Sequence, residues 1–303
     1  MGFADLRTWL DRFEAAGELK RVKAEVNWDR EIGAIARRSF TTKGPALLFE
    51  SIQGHQQTAC RRLATALLHK RARLAMLLGF PADASVRELV QYVRQKNREA
   101  IPPVEVKTGP VKENVIRGKD VDLYQFPAPK WHFRDGGRYL LTFAGIVTRD
   151  PDTGVLNMGV YRGMIGQRNT IPVLIVASQH GGQAFSKYRQ RKQPMPVAAV
   201  IGYDPIMDFL SGSPVPAGVC EYDVMGAYRG EPLQVVRCET NDLLVPAGAE
   251  IVIEGTVDPD PNTFELEGAF GEYTGHTGDV TATIRSCAAR RKGRFPALTT
   301  RTA

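Results

Sequence analysis

The stretch LEGAFGEYTGHTGD, residues 266–279, sets Glu267 and Glu272 five positions apart among glycines and then adds His276 and Asp279. Two carboxylates held in different environments can divide the work of orienting a substrate and moving a proton. Further polar groups interrupt apolar, β-rich runs, where burial costs free energy unless a group is paired or bound to an ion. Asn157 and Arg162 share NMGVYR, Gln179 and His180 end IPVLIVASQH, and Glu221 lies in VPAGVCEYD after the turn-rich SGSPVP. An Asn oxygen, an imidazole and a carboxylate suit a hard or borderline divalent ion such as Mn2+ or Mg2+, with positions left for water or phosphate. An arginine beside carboxylates suits bidentate recognition of an acidic substrate. Each residue also has a plain structural role when taken singly. Asn157 can end a strand, His180 can be exposed at a strand end, Glu221 can favour a helix dipole, and the two glutamates can be solvated.

The elements that must position these groups are legible in part. Leu6, Trp9, Leu10 and Phe13 recur at helical spacing in residues 4–17, with Gly17 placed to end the helix. LKRVKAEV alternates like a strand, REIGAIARRSF reads as a helix and PALLFESI as a short buried strand. Residues 65–79 and 86–99 read as helices, the second opened by Ser85 with Glu88 at the capping-box position. Residues 100–137 are rich in Pro and Gly and read as a linker or irregular crossing. From Tyr139, three strand-like runs joined by short turns predict an antiparallel meander. GGQAFSKYRQRKQ then reads as a helix, VAAVIGYD as a strand, and LQVVRCETND, AEIVIEGTVD and VTATIRSCAARR as further β structure. This order predicts an α+β protein whose second part is a barrel-like sheet.

At 303 residues, 43% hydrophobic and 24% charged, the chain has room for about two domains with a sizeable core. Cys60, Cys220, Cys238 and Cys287 show no CxxC spacing, which points to reduced, mostly buried thiols rather than a zinc ribbon or disulfide framework. No run approaches the roughly 18 apolar residues of a membrane span and the N-terminus is no signal peptide, so a soluble cytoplasmic protein is expected. MGFADL has Leu where a myristoylation signal carries Ser or Thr. The net charge of +7 is spread over RRLATALLHKRAR, YRQRK and ARRKGR without a nucleic-acid-binding signature, which reads as solvated helix faces.

NMGVYRG, SQHGG, SGSPVPAGVCEYD, CETNDLLVPAGAEIVIEGT and LEGAFGEYTG are similar, in that order and at similar separations, to the UbiD family of reversible decarboxylases. DLRTWLDRFEAAGELKRV and GPALLFE resemble that family's opening, so the resemblance covers residues 4–285. It implies a mixed α/β N-terminal domain, residues 1–110, followed by a split β-barrel, flavin-reductase-like domain, residues 111–303, with the family's C-terminal oligomerisation domain absent. It implies prenylated FMN, its phosphate held through Mn2+ or another divalent metal on Asn157, His180 and Glu221, with K+ nearby. The catalytic arginine and paired acids fall on Arg162, Glu267 and Glu272. Arg162 would grip the substrate carboxylate, Glu267 would hold Arg162, and Glu272 would donate a proton. Gln179, Ser211, Ser213 and Pro214 match further cofactor contacts. The implied partners are an aromatic or α,β-unsaturated carboxylic acid, CO2 and an enzyme supplying the prenylated flavin, with a homo-oligomer as the assembly. The implied reaction is reversible non-oxidative decarboxylation. A non-catalytic remnant of the same fold and a conventional FMN reductase are the competing readings.

Overall fold

The computed structural model of the protein describes residues 5–213, 215–216, 218–260 and 262, together with the strands Glu265–Leu266, Val280–Arg285 and Ala297–Thr300. The chain opens with α1 (Leu6–Ala15), whose N-cap Asp5 accepts the Thr8 N–H at 2.8 Å. Trp9, Leu10 and Phe13 face inward as their spacing predicts, and Gly17 follows with φ 71°. Then come β1 (Leu19–Val22), α2 (Glu31–Thr41), β2 (Ala46–Phe49) and β3 (Leu63–Thr65). β1 and β2 pair in parallel, and β2 and β3 antiparallel.

The helix expected over 65–79 is confined to α3 (Arg71–Leu77). Arg73 supplies the reason. It was expected on a solvated helix face, yet it is fully buried and pairs with Glu18 at 2.7 Å. The same guanidinium takes the carbonyls of Leu67 (2.9 Å), Ala66 (3.1 Å) and Gly44 (3.2 Å), which holds the residues before α3 in a non-helical turn. α4 (Val86–Lys96) begins with the expected capping box: Ser85 Oγ accepts the Glu88 N–H and the Glu88 carboxylate accepts the Ser85 N–H.

Residues 100–137 carry only β4 (Val104–Glu105), β5 (Asn114–Arg117) and single 3-10 turns. Arg138 organises the end of this crossing. Its guanidinium lies over Trp28 at 4.5 Å and donates to the carbonyls of Phe126 (2.6 Å) and Ala128 (2.9 Å) and to His55 Nε2 (2.9 Å). His55 must therefore carry its proton on Nδ1, which faces the Gln125 carbonyl at 3.2 Å. Burial, reinforced by the Arg138 charge, lowers the His55 pKa.

The second part contains β6 (Gly145–Arg149), β7 (Leu156–Val160), β8 (Thr170–Val173), α5 (His180–Gln190), β9 (Met195–Ile201), α6 (Ile206–Ser211) and α7 (Glu221–Arg229). β10 (Gln234–Arg237), β11 (Leu244–Pro246), β12 (Ile251–Val257), β13 (Glu265–Leu266), β14 (Val280–Arg285) and β15 (Ala297–Thr300) complete it. The main sheet runs β13-β14-β12-β9-β6-β7, with β15 beside β12 and β5, and β8 beside β14. The expected meander holds: β6 pairs antiparallel with β7, and the continuation of β7 pairs antiparallel with β8 through the Gly163–Val173 bridge and the Met164 N–H to Pro172 carbonyl bond, while β8 also pairs with β14. Period-two alternation gives the sheet two apolar faces. Val147, Met158, Ala198, Val200 and Val252 face a core built with α1, α3, α6 and α7, while Ile146, Val197, Ala199, Ile251 and Ile253 face a second core with α5. No described helix is long and apolar enough to cross a membrane. Cys60, Cys220 and Cys238 are free thiols, the last two buried.

α7 is buried on nearly every side, from Glu221 to Arg229. Gly226 permits this, because a Cβ there would sit 2.4 Å from the Ile101 carbonyl oxygen. At its C-terminal end Arg229 makes a bidentate pair with Asp204, at 2.7 and 2.9 Å, and donates to the Leu77 carbonyl at 2.7 Å. The Asp204→Ala variant leaves that guanidinium buried without its counter-charge and is expected to lose about 3–5 kcal/mol in urea unfolding. Removing the exposed partner in the Arg237–Glu105 pair by Glu105→Ala should leave the midpoint near wild type. A second expectation concerns acid. His55 is neutral in the fold with a lowered pKa, so as pH falls through about 6.5 the unfolded chain takes up the proton first and stability is lost. His55→Gln should flatten that acid limb in urea midpoints measured from pH 8 to pH 5.

Candidate metal and cofactor site

β7 ends the main path of the sheet, and its outer edge is where candidate residues meet. An edge strand leaves N–H groups unpaired. The Met158 N–H is satisfied by the Glu221 carboxylate, Oε2 at 2.7 Å. Glu221 is the first residue of α7 and is only 4% exposed. Burial pushes its carboxyl up to about 7, with the Met158 N–H opposing the rise and Asp223 adding to it. No Lys, Arg or His among the described residues is within ion-pair distance of it.

Asn157 precedes Met158 on the same strand. Its Nδ2 is buried and finds no hydrogen-bond partner at bonding geometry among the described residues, although the amide lies beside the Tyr161 hydroxyl. The oxygen and nitrogen of an Asn amide exchange places by a half-turn of the side chain. Turned so, the amide presents an oxygen where the unpartnered nitrogen sits. α5 reaches the same place from the opposite layer: the Gly181 N–H donates to the Tyr161 hydroxyl at 3.1 Å. His180 opens that helix with an exposed side chain, and Gln179 is its exposed N-cap residue. Thus Asn157, Glu221 and the start of α5 converge on one strand edge. No three His, Cys, Asp or Glu side chains cluster for a metal among the described residues, so a cation here needs the Asn donor. An amide oxygen, a buried carboxylate with no counter-charge among the described residues and an imidazole at the rim fit a divalent cation of the Mn2+ or Mg2+ type.

Arg162 follows β7 and is half-buried, its carbonyl accepting the Leu174 N–H at 3.4 Å. Gly163 beside it bridges Leu141 and Val173. Leu174 follows β8, which pairs with β14, which pairs with β13. β13 therefore ends at Leu266 two strands from the Arg162 segment. Glu267 and Glu272, like His276, Asp279 and Pro214, lie outside the described residues. Ser211 and Ser213 end α6, their hydroxyls donating to the Asp208 (3.4 Å) and Phe209 (2.8 Å) carbonyls.

A separate cleft of about 970 Å3 opens between the β1-β2-β3 layer and the crossing at 126–143. Trp131 and His132, two of the aromatic residues that a substrate pocket would draw on, line it; Phe133 is exposed and lies under Arg30 instead. None of Asn157, Arg162, Gln179, His180, Ser211, Ser213 or Glu221 lines this cleft. Asp208 does, and burial pushes its carboxyl up to about 8. Neither Tyr161 nor Asp208 stands out by residue type. The signal for Tyr161 is the glycine two positions before it, which clears the strand face for its ring.

Comparison with known proteins identifies the family. Residues 103–300 match the 3-octaprenyl-4-hydroxybenzoate carboxy-lyase Rift-related domain, and residues 10–93 match the N-terminal domain of the same carboxy-lyase. The chain belongs to the UbiD family. It is 38% identical over 279 residues to pyrrole-2-carboxylic acid decarboxylase of Pseudomonas aeruginosa, covering 90% of this chain and 56% of that protein. It is 31% identical over 283 residues to ferulic acid decarboxylase 1 of Saccharomyces cerevisiae, again covering 90% of this chain and 56% of that protein. Among solved structures, it superposes on an evolved dimeric form of the UbiD-class enzyme HmfF from Pelotomaculum thermopropionicum in complex with prFMN. The TM-score there is 0.86 at 32% identity, over 98% of this chain and 65% of that one. Vanillic acid decarboxylase of Sedimentibacter hydroxybenzoicus in closed form gives a TM-score of 0.89 at 30% identity, over 99% and 63% of the two chains. The chain thus spans a little over half the length of the two curated relatives.

The raised pKa of Glu221 has a measurable consequence. A carboxyl whose pKa is higher in the fold than in the unfolded chain contributes stability below about 4.5, and that contribution is lost as pH rises through about 7. Without divalent metal, the wild type should lose on the order of 3 kcal/mol relative to Glu221→Gln between pH 4.5 and pH 8. Urea unfolding of both proteins in chelator across that range checks it, since Gln keeps an acceptor for the Met158 N–H.

Proposed function

We propose that the protein carries out UbiD-type reversible, non-oxidative decarboxylation of an aromatic or α,β-unsaturated carboxylic acid. The observation that carries this reading is the meeting, at the edge of β7, of the Asn157 amide, whose buried Nδ2 finds no hydrogen-bond partner, and the buried Glu221 carboxylate, which has no cation beside it among the described residues. A non-catalytic remnant would have no use for a buried carboxylate of raised pKa, whereas a divalent cation supplies the missing counter-charge. In this reading Asn157, His180 and Glu221 hold a Mn2+-type ion that anchors the phosphate of prenylated FMN, with K+ as a second ion. When bound, the prenylated flavin supplies the electron sink for loss of CO2.

The chain's own residues bind and orient. Arg162 grips the substrate carboxylate with its two-pronged guanidinium. Glu267 balances that charge and Glu272 donates the proton to the product carbon. Gln179, Ser211, Ser213 and Pro214 border the flavin. The domain boundary falls near residue 110. The second domain is a split barrel, supported by the bridges of Gly163 to Leu141 and Val173, which join the end of β7 toward β8. The active assembly is a homo-oligomer supplied with cofactor by a prenyl-FMN-synthesising enzyme.

The test is to load the protein with prenylated FMN and Mn2+ and to measure CO2 release from a panel of aromatic and unsaturated carboxylic acids. CO2 release is expected from at least one acid, reduced on the order of 100-fold in Arg162→Ala and abolished in Glu221→Ala. NAD(P)H oxidation with plain FMN and no CO2 from any acid would instead establish a flavin reductase.

A further inference from the structure

Asn157, Gly159 and Tyr161 alternate along one face of β7 and its continuation. The Tyr161 ring, 5% exposed, lies back over Gly159, where a Cβ would come within 2.6 Å of its Cε2. Its hydroxyl ends between two of the groups assigned above to the metal. On one side is the Asn157 amide, and on the other is the start of α5, where the Gly181 N–H donates to it at 3.1 Å. Gly181 also has to lack a side chain, because a Cβ there would be 2.5 Å from the Tyr161 oxygen. Gly182 seats the helix start on the preceding loop, its Cβ position lying 2.0 Å from the Val176 carbonyl oxygen. The Glu221 carboxylate is within electrostatic reach of the same hydroxyl. The N–H groups of a helix's first turn have no partner inside the helix. Here one of them is spent on a side chain from a different layer of the fold.

We propose that Tyr161 is a positioning residue whose hydroxyl sets the spacing between the Asn157 amide and the helix start that carries His180. The inference rests on the assignment of Asn157, His180 and Glu221 as a metal site. It assigns Tyr161 no contact with substrate or cofactor. A phenylalanine would fill the same volume but leave the Gly181 N–H without its acceptor, freeing α5 to shift relative to β7. Partners that orient metal ligands from behind typically change metal affinity 10- to 100-fold when removed.

The experiment titrates Mn2+ into the FMN-loaded protein, following free Mn2+ by electron paramagnetic resonance. Y161F is expected to bind Mn2+ on the order of tenfold more weakly, with folding verified by circular dichroism. G181A is expected to weaken binding similarly by displacing the hydroxyl. The Y161F/G181A double variant should be no worse than either single one, because the added methyl enters the space the hydroxyl vacates. Leu10→Ala, a core change on α1, should lower stability without altering Mn2+ affinity. Wild-type affinity in Y161F, strict additivity in the double variant, or an equal loss in Leu10→Ala would each overturn the positioning role. If Y161F does not fold, wild-type affinity in G181A overturns it. Asn157→Ala separates the two levels: no Mn2+ binding by the wild type, or unchanged binding by Asn157→Ala, removes the metal site itself and the proposal with it.

Discussion

The hydrogen bond from the Met158 N–H to the Glu221 carboxylate joins a sheet edge to a helix enclosed by the rest of the protein. Its energetic character is unusual, since one partner is a carboxylate removed from water with no cation beside it among the described residues. Such a group is tolerated only if the surrounding structure holds it in place. α7 does so by being anchored at its far end, where the Arg229–Asp204 pair and the Leu77 carbonyl hold the helix against α3 and the turn before α6. One anchor is a compensated ion pair that supports the fold, and the other is an uncompensated charge that the fold supports. That asymmetry sets the Glu221 end apart from the Arg229 end, and the proposed metal site rests on it.

The site forms where the two layers of the protein can meet. A sheet separates its faces everywhere except along an edge, and β7 is the edge at which α5 from one face and α7 from the other come within reach of the same strand. Small residues make the approach possible. Gly159 and Gly181 admit the Tyr161 ring, and Gly226 lets α7 lie against the Ile101 carbonyl. The glycines in NMGVYRG and SQHGG are therefore part of how the Asn157 strand and the start of α5 are brought together.

Local features of the fold were legible in the sequence because their partners are local. The α1 spacing, the Ser85–Glu88 capping box and the β6–β7 hairpin each involve residues a few positions apart. Features that failed depend on distant partners. Arg73 looked like one more surface cation in a basic run, but Glu18, 55 positions away, takes it into the core and cuts the helix short. β8 is the third strand of a meander as it looked, but its other partner, β14, lies more than a hundred residues later in the chain and no local pattern announces it. α7 was legible only at its start, where Glu221 suited a helix dipole, because the burial of its Glu221 and Arg229 depends on Met158, Asp204 and Leu77, none of them nearby in sequence.

The sequence by itself determined which chemical groups were available and in what order: an Asn, an Arg, a His and a Glu in β-rich surroundings, with two acids after them. Their order and the motifs around them were enough to indicate the UbiD family. Only the tertiary structure decided which of them share a site. It brought Asn157, the start of α5 and Glu221 to one strand edge, left Glu221 without a counter-charge among the described residues, and placed the Trp131 and His132 cleft elsewhere. The physical reason is that residue type sets what a group can bind, whereas burial and the neighbours across strand and helix contacts set its charge state and its distance from the next donor. Those quantities belong to packing between segments as far apart as residues 157 and 221, and no local pattern encodes them.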